Sequence, residues 1–139
     1  MNLHLEKVPQ QRFSSLIDEA KRTLAEQRQD DVPRIFIGMA TCGLAAGASE
    51  TKAAFEEVLD EQQTEALIIP VGCLGHCYAE PLVVIENPGF PPIAYHNVTP
   101  GKAGVLVKSF LMEGDPLFEY VLAAMEENEL IPSVDDFPR

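Results

Sequence analysis

Two short runs of β-branched and aromatic residues, Arg34–Met39 (RIFIGM) and Ala66–Val71 (ALIIPV), stand on either side of one helix-patterned segment. No other feature narrows the fold as much. A strand–helix–strand unit of this kind closes as a right-handed crossover with its two strands parallel. The first run is followed by a loop of small residues, Ala40–Ala48 (ATCGLAAGA). Ser49 then serves as N-cap of a helix over about residues 50–62, with Phe55, Val58 and Leu59 facing inward.

The rest of the chain adds to this unit at both ends. Phe13, Leu16, Ile17, Ala20 and Leu24 recur at helical spacing and predict a helix over about residues 10–28. Pro33 ends that segment, since a proline disfavours helical geometry in the residue before it. Gly72–Glu80 reads as a turn, Pro81–Glu86 (PLVVIE) as a third strand and Ile93–Val98 as a fourth, joined through Asn87–Pro92 (NPGFPP). These two make an antiparallel hairpin with proline-rich edges. Thr99 caps a helix that opens with Pro100 and ends near Gly114. Leu117, Tyr120, Val121, Ala124 and Met125 form another helical stripe, and Asn128–Arg139 reads as a tail. The expected fold is α/β, a mixed four-stranded sheet flanked by helices plus an extra N-terminal helix, the layout of a small thioredoxin-like domain. The expected division is a helical extension over 1–33, the sheet domain over 34–118, and a C-terminal helix with acidic tail over 119–139. No internal repeat or low-complexity segment interrupts it.

At 139 residues the chain suits one domain, and its 46% hydrophobic and 23% charged composition is that of an ordinary globular protein. With 22 Asp and Glu against 10 Lys and Arg, the net charge is −12. That balance argues against nucleic acid, which is bound through clustered cations, and against an anionic membrane surface. No apolar run approaches the ~18 residues that cross a bilayer, and MNLHLEKVPQQRF lacks the apolar stretch of a secretory signal. The expected location is the cytoplasm, where thiols stay reduced. The acidic excess is concentrated over residues 113–139, which carry eight acids and one base. It serves solubility or docking on a basic partner surface.

Three cysteines, Cys42, Cys73 and Cys77, all fall in loops after predicted parallel strands. Ligand sites of open α/β sheets gather outside such strand ends. Three thiols there, among glycines at 38, 43, 47, 72 and 75, suit a soft metal centre. Buried free cysteine is the bland alternative, although two thiols in the Gly-rich turn Cys73-Leu74-Gly75-His76-Cys77 make poor core packing. A thiol–disulfide exchanger would use Cys-x-x-Cys at a helix start, whereas here the spacing is Cys-x-x-x-Cys before a strand. Structural zinc would need His76 as a fourth donor beside the three cysteines, and His76 abuts Cys77. His4 and His96 have no evident partners, and Asp135–Asp136 reads as a solvated terminus. No Ser/His/Asp arrangement or phosphate loop is present, and the glycines of GMATCGLAAG are not spaced for a nucleotide. Glu80–Pro81 is placed where a cis proline often precedes an active-site strand, or where a trans proline starts an edge strand.

GMATCGLAAGA, VGCLGHCYAEPLVVIE and YHNVTPGKAGVLVKSFLMEGDPL together resemble the thioredoxin-like [2Fe–2S] ferredoxins. These form the N-terminal domain of the flavin subunit of NADH-linked hydrogenases and NADH dehydrogenases, or a small stand-alone equivalent. The resemblance covers about residues 34–118, and IPSVDDFPR is similar to the linker into the flavin domain in fused versions. It implies that Cys42, Cys73 and Cys77 ligate a [2Fe–2S] cluster. It also implies an electron-transfer subunit, not catalytic alone, beside flavin and iron–sulfur subunits of a hydrogenase, formate dehydrogenase or related oxidoreductase, with pairing into a homodimer as an option. The family's first pair of cysteines is spaced so that Ile37 takes the place of one of them. The fourth ligand is then His76, another oxygen or nitrogen donor, a partner's residue, or absent. The alternative is a cluster-less thioredoxin-like scaffold or interaction subunit of the same kind of complex.

Overall fold

The computed structural model describes residues 10–27 and 31–124, with the side chains of the first helix described over 12–23. The chain divides into two compact units between Asp31 and Val32. The first contains helix α1, Gln10–Gln27. Of its expected apolar stripe, Phe13, Leu16 and Ile17 are exposed, and the side chain of Leu24 lies outside the described residues.

The second unit is built on strand β1, Arg34–Gly38. Ile35 and Ile37 point to one face and are fully buried, whereas Phe36 between them is half-buried on the other. This is the period-two pattern of a strand covered mainly on one side. After β1 come α2 (Thr41–Ala45), α3 (Ala48–Glu61), β2 (Leu67–Val71), β3 (Val83–Glu86), β4 (Ile93–Tyr95), α4 (Pro100–Leu106) and β5 (Val121–Ala124). The sheet order is β2-β1-β3-β4-β5. β1 and β2 run parallel, with Arg34 opposite Leu67 and Gly38 opposite Val71, as the strand–helix–strand reading expects. β3 then pairs antiparallel with β1, and Arg34 lies opposite Glu86, where the two side chains meet at 2.5 Å. The β3–β4 hairpin places Val83 opposite Tyr95.

The helices pack by the residues their periodicity marks. Ala48, Thr51, Phe55 and Leu59 of α3 are buried, and the Thr51 hydroxyl donates to the Val98 carbonyl at 2.6 Å. α3 starts at Ala48 rather than after Ser49, because Gly47 takes the left-handed N-cap position at φ 99°. Within the expected loop, α2 adds a single turn. Thr99 caps α4 as expected, accepting from the Lys102 amide, with Pro100 following it. Beyond Leu106 the helix widens into a π turn, Val107–Met112, which keeps both Val107 and Phe110 in the core. The Asn87 side chain of the hairpin turn donates to the Phe110 carbonyl at 2.9 Å.

Two expectations are corrected. The sheet has five strands, not four, and residues 118–124 are not the start of a C-terminal helix. Leu117 is left-handed at φ 50°, Phe118–Tyr120 is a 3₁₀ turn, and β5 pairs antiparallel with β4. The apolar spacing that suggested a helix is equally met by a short strand beside an open sheet edge, whose unpaired amides and carbonyls need partners. Asp115 stops the preceding helix by accepting the Leu117 amide at 3.1 Å. Met125, the tail and the Asp135–Asp136 pair lie outside the described residues.

One contact locks the end of the sheet beneath the loops. Glu80 is 8% exposed, and its carboxylate accepts the Leu82 amide at 2.7 Å. It fills the space above Gly38 and Gly43: a Cβ at Gly38 would stand 3.1 Å from it. A Cβ at Gly43 would meet the Gly38 carbonyl oxygen at 2.1 Å. Gly43→Ala should therefore cost about 2–3 kcal/mol, at the upper end for overpacking because backbone cannot swing aside. Gly72 has open space around it, and Gly72→Ala should stay within about 0.5 kcal/mol of wild type, both variants being measured by urea titration.

Tyr95 is fully buried, and its hydroxyl donates to the Pro116 carbonyl at 2.9 Å. Burial, with the Asp115 carboxylate adding to it, pushes the phenol well above the ordinary value of 10.0. The folded state thus holds this proton more tightly than the unfolded chain. That contribution is complete below about pH 10 and is lost as the pH climbs beyond it. Tyr95→Phe should cost about 1 kcal/mol at neutral pH through the lost hydrogen bond. In urea titrations over an alkaline pH series, the variant should also lose stability less steeply than wild type.

Candidate metal centre

The parallel pair sets the position of the cysteine loops. β1 and β2 end side by side, and the Met39 amide beyond β1 donates to Val71 of β2 at 2.8 Å. The chain leaves β1 into α2, whose first turn carries Cys42, and leaves β2 into Gly72–Cys77. Both loops therefore start from neighbouring strand ends, as open α/β sheets arrange their sites. The second loop closes through a 3₁₀ turn, Cys77–Ala79, and reaches β3 by way of a cis Glu80–Pro81 peptide. The Gly38 amide donates to the Leu82 carbonyl at 3.0 Å, which ties the return of that loop to β1.

All three cysteines are exposed. Bland core cysteine is therefore not their state. Cys73 and Cys77 are brought together, their sulfurs 3.8 Å apart. Two thiolates bound to one tetrahedral metal at about 2.3 Å stand about 3.8 Å from each other by simple trigonometry. The pair is thus spaced as two ligands of a single metal. The Gly75 amide donates to Cys73 Sγ at 3.3 Å and holds it in this position. Gly75 is left-handed at φ 85°, which lets the turn present its amide to the sulfur.

The remaining candidates are placed differently. Among the described residues, no three His, Cys, Asp or Glu side chains form a group that could hold one ion. Cys42 is thus not gathered with the pair into a single-ion site, and the four-donor zinc set that includes His76 is not assembled. His76 Nδ1 lies 3.1 Å from the Leu74 carbonyl, and its ring leans on Tyr78 with centroids 6.0 Å apart. Ile37 is fully buried in the core. A two-iron cluster takes four protein ligands shared between two metals, so one thiol pair would supply half of them. Cys73 and Cys77 fit that half. His4 lies outside the described residues.

Sequence reasoning missed two features of the surroundings. Glu80 was noted only for the proline after it, yet it is the buried carboxylate under the Cys42 loop. Its signal was a single charge inside the otherwise apolar run Tyr78–Ile85. The second is a shallow cavity of about 310 Å³ beside the Cys77 turn, lined by Tyr78, Ala79, His96, Asn97 and Leu122. Leu122 reaches it only because β5 replaces the expected helix.

No family model matches the chain. It is 36% identical over 87 residues to NADP-reducing hydrogenase subunit HndB of Solidesulfovibrio fructosivorans, a match covering 60% of this chain and 67% of that protein. The fold is that of a thioredoxin-like [2Fe–2S] ferredoxin from Aquifex aeolicus, with TM-score 0.60 and 20% identity over 70% of this chain and 96% of the other. A second crystal structure, of the wild-type Aquifex aeolicus protein, aligns with TM-score 0.58 and 23% identity, over 67% of this chain and 98% of that one. With the strand-end cysteine loops and the extent of identity to HndB, the chain belongs to the family of that hydrogenase subunit, on the fold of the thioredoxin-like [2Fe–2S] ferredoxins.

Proposed function

We propose that the chain is an electron-transfer subunit of a cytoplasmic, multisubunit NAD(P)H-linked hydrogenase or related oxidoreductase, and is not catalytic alone. The observation that carries this reading is the 3.8 Å spacing of Cys73 and Cys77 in a chain related to a hydrogenase subunit. Cys42, Cys73 and Cys77 would hold the cofactor. A [2Fe–2S] cluster bound there supplies a one-electron couple and needs no substrate pocket.

The chain's own residues define the setting. Exposed loops bring the thiols to the rim of the domain, where a partner's redox centre can approach. The Gly75 amide donates to sulfur, an interaction that tunes a cluster's potential. Glu80 and the glycines under it keep the Cys42 loop close to the sheet end. The net charge of −12 favours docking on basic surfaces of flavin and iron–sulfur subunits. No helix of the described residues is long and apolar enough to cross a membrane.

The burial of Ile37 and the separate placement of Cys42 favour a second reading, a cluster-less scaffold of the same complex. Iron and acid-labile sulfide content, measured on protein purified without air, separates the two. The carrier should hold about two irons and two sulfides per chain with a red-brown spectrum. Cys73→Ala and Cys77→Ala should each lose that colour while the fold persists by circular dichroism. Folded, colourless wild type that resists reconstitution would establish the scaffold.

A further inference from the structure

Cys73 and Cys77 are also placed for a covalent chemistry that needs no metal. Their sulfurs, at 3.8 Å, are already in van der Waals contact, and a disulfide requires about 2.05 Å. Both residues are exposed, as are Gly72, Gly75, His76 and Tyr78 around them. A Cβ added at Gly72 or Gly75 would meet nothing within 4 Å beyond its chain neighbours, so open space flanks the loop on these sides. Cys42 sits apart, on α2 and on a different strand end.

We infer that, in the metal-free chain, Cys73 and Cys77 form a reversible intramolecular disulfide, so that the surrounding thiol–disulfide balance decides whether this half of the metal centre can be loaded. The oxidant is a low-molecular-weight disulfide such as oxidised glutathione. One cysteine thiolate attacks a sulfur of that disulfide and releases one glutathione thiol. The other cysteine then attacks the mixed disulfide, forming the Cys73–Cys77 bond and releasing the second glutathione. Two protein thiols lose two electrons and two protons, and the small disulfide gains them. The closed loop is exposed and spans only a few residues, so it gains little from restricting the unfolded chain. Exposed disulfides of this kind belong to the readily reduced class. The disulfide stands on geometry alone, whereas its effect on loading rests on the proposed function.

The test equilibrates the full-length, metal-free protein in mixtures of reduced and oxidised glutathione, followed by iodoacetamide labelling and peptide mass spectrometry. The reduced chain should take three labels, on Cys42, Cys73 and Cys77. The oxidised chain should take one, on Cys42, and yield a linked Cys73–Cys77 peptide that dithiothreitol reopens. Cys42→Ala should fall from two labels to none. Three labels throughout, or only disulfides between chains or to Cys42, would overturn the inference. Each form is then given ferrous iron and sulfide anaerobically. Loading of the reduced form alone upholds the gating. Loading of both forms equally overturns it. A disulfide that forms in a chain that never loads upholds the thiol couple and overturns the cluster reading, while loading without disulfide formation does the reverse.

Discussion

β1 is hydrogen-bonded along both edges, to β2 in parallel and to β3 antiparallel. Its inward residues Ile35 and Ile37 form the floor on which α3 and α4 pack. The same placement aims the ends of β1 and β2 toward one side of the sheet, where the cysteine loops begin. It also settles what Ile37 can do. Ile37 is fully buried, and its side chain is committed to the core.

The order of elements was legible wherever a local rule and the tertiary context agree. The β-branched runs of β1 and β2, the inward residues Phe55 and Leu59 of α3, and the Thr99–Pro100 helix start all follow from propensity and capping chemistry. Disagreement came where context overrides local pattern. Residues 117–124 satisfy helical spacing, yet β4 offers them an open edge, and hydrogen bonding to it takes precedence. α2 escaped notice because Ala and Gly carry little periodic signal. The cysteine loops could be located but not assembled from spacing. Spacing along the chain brings Cys73 near Cys77, four residues away, and says nothing about where Cys42 stands relative to them.

The buried carboxylate of Glu80 shows how the loops and the sheet share one structural solution. Two glycines leave the room, an amide two residues on satisfies one oxygen, and the loop that carries Cys77 is drawn back toward β1. A larger side chain at either glycine would press on backbone or on the carboxylate. On the exposed rim above, a side chain added at Gly72 would meet nothing, and Gly75 is constrained by its left-handed backbone rather than by neighbours.

The sheet ends on one side at β2, and Pro70 sits exposed in that strand. Proline contributes no amide to a further strand. On the other flank β5 covers β4 and forms the second edge of the sheet among the described residues. Newly synthesised copies of any chain stand among many identical ones, and an edge interrupted by proline is a safeguard against their stacking into aggregates.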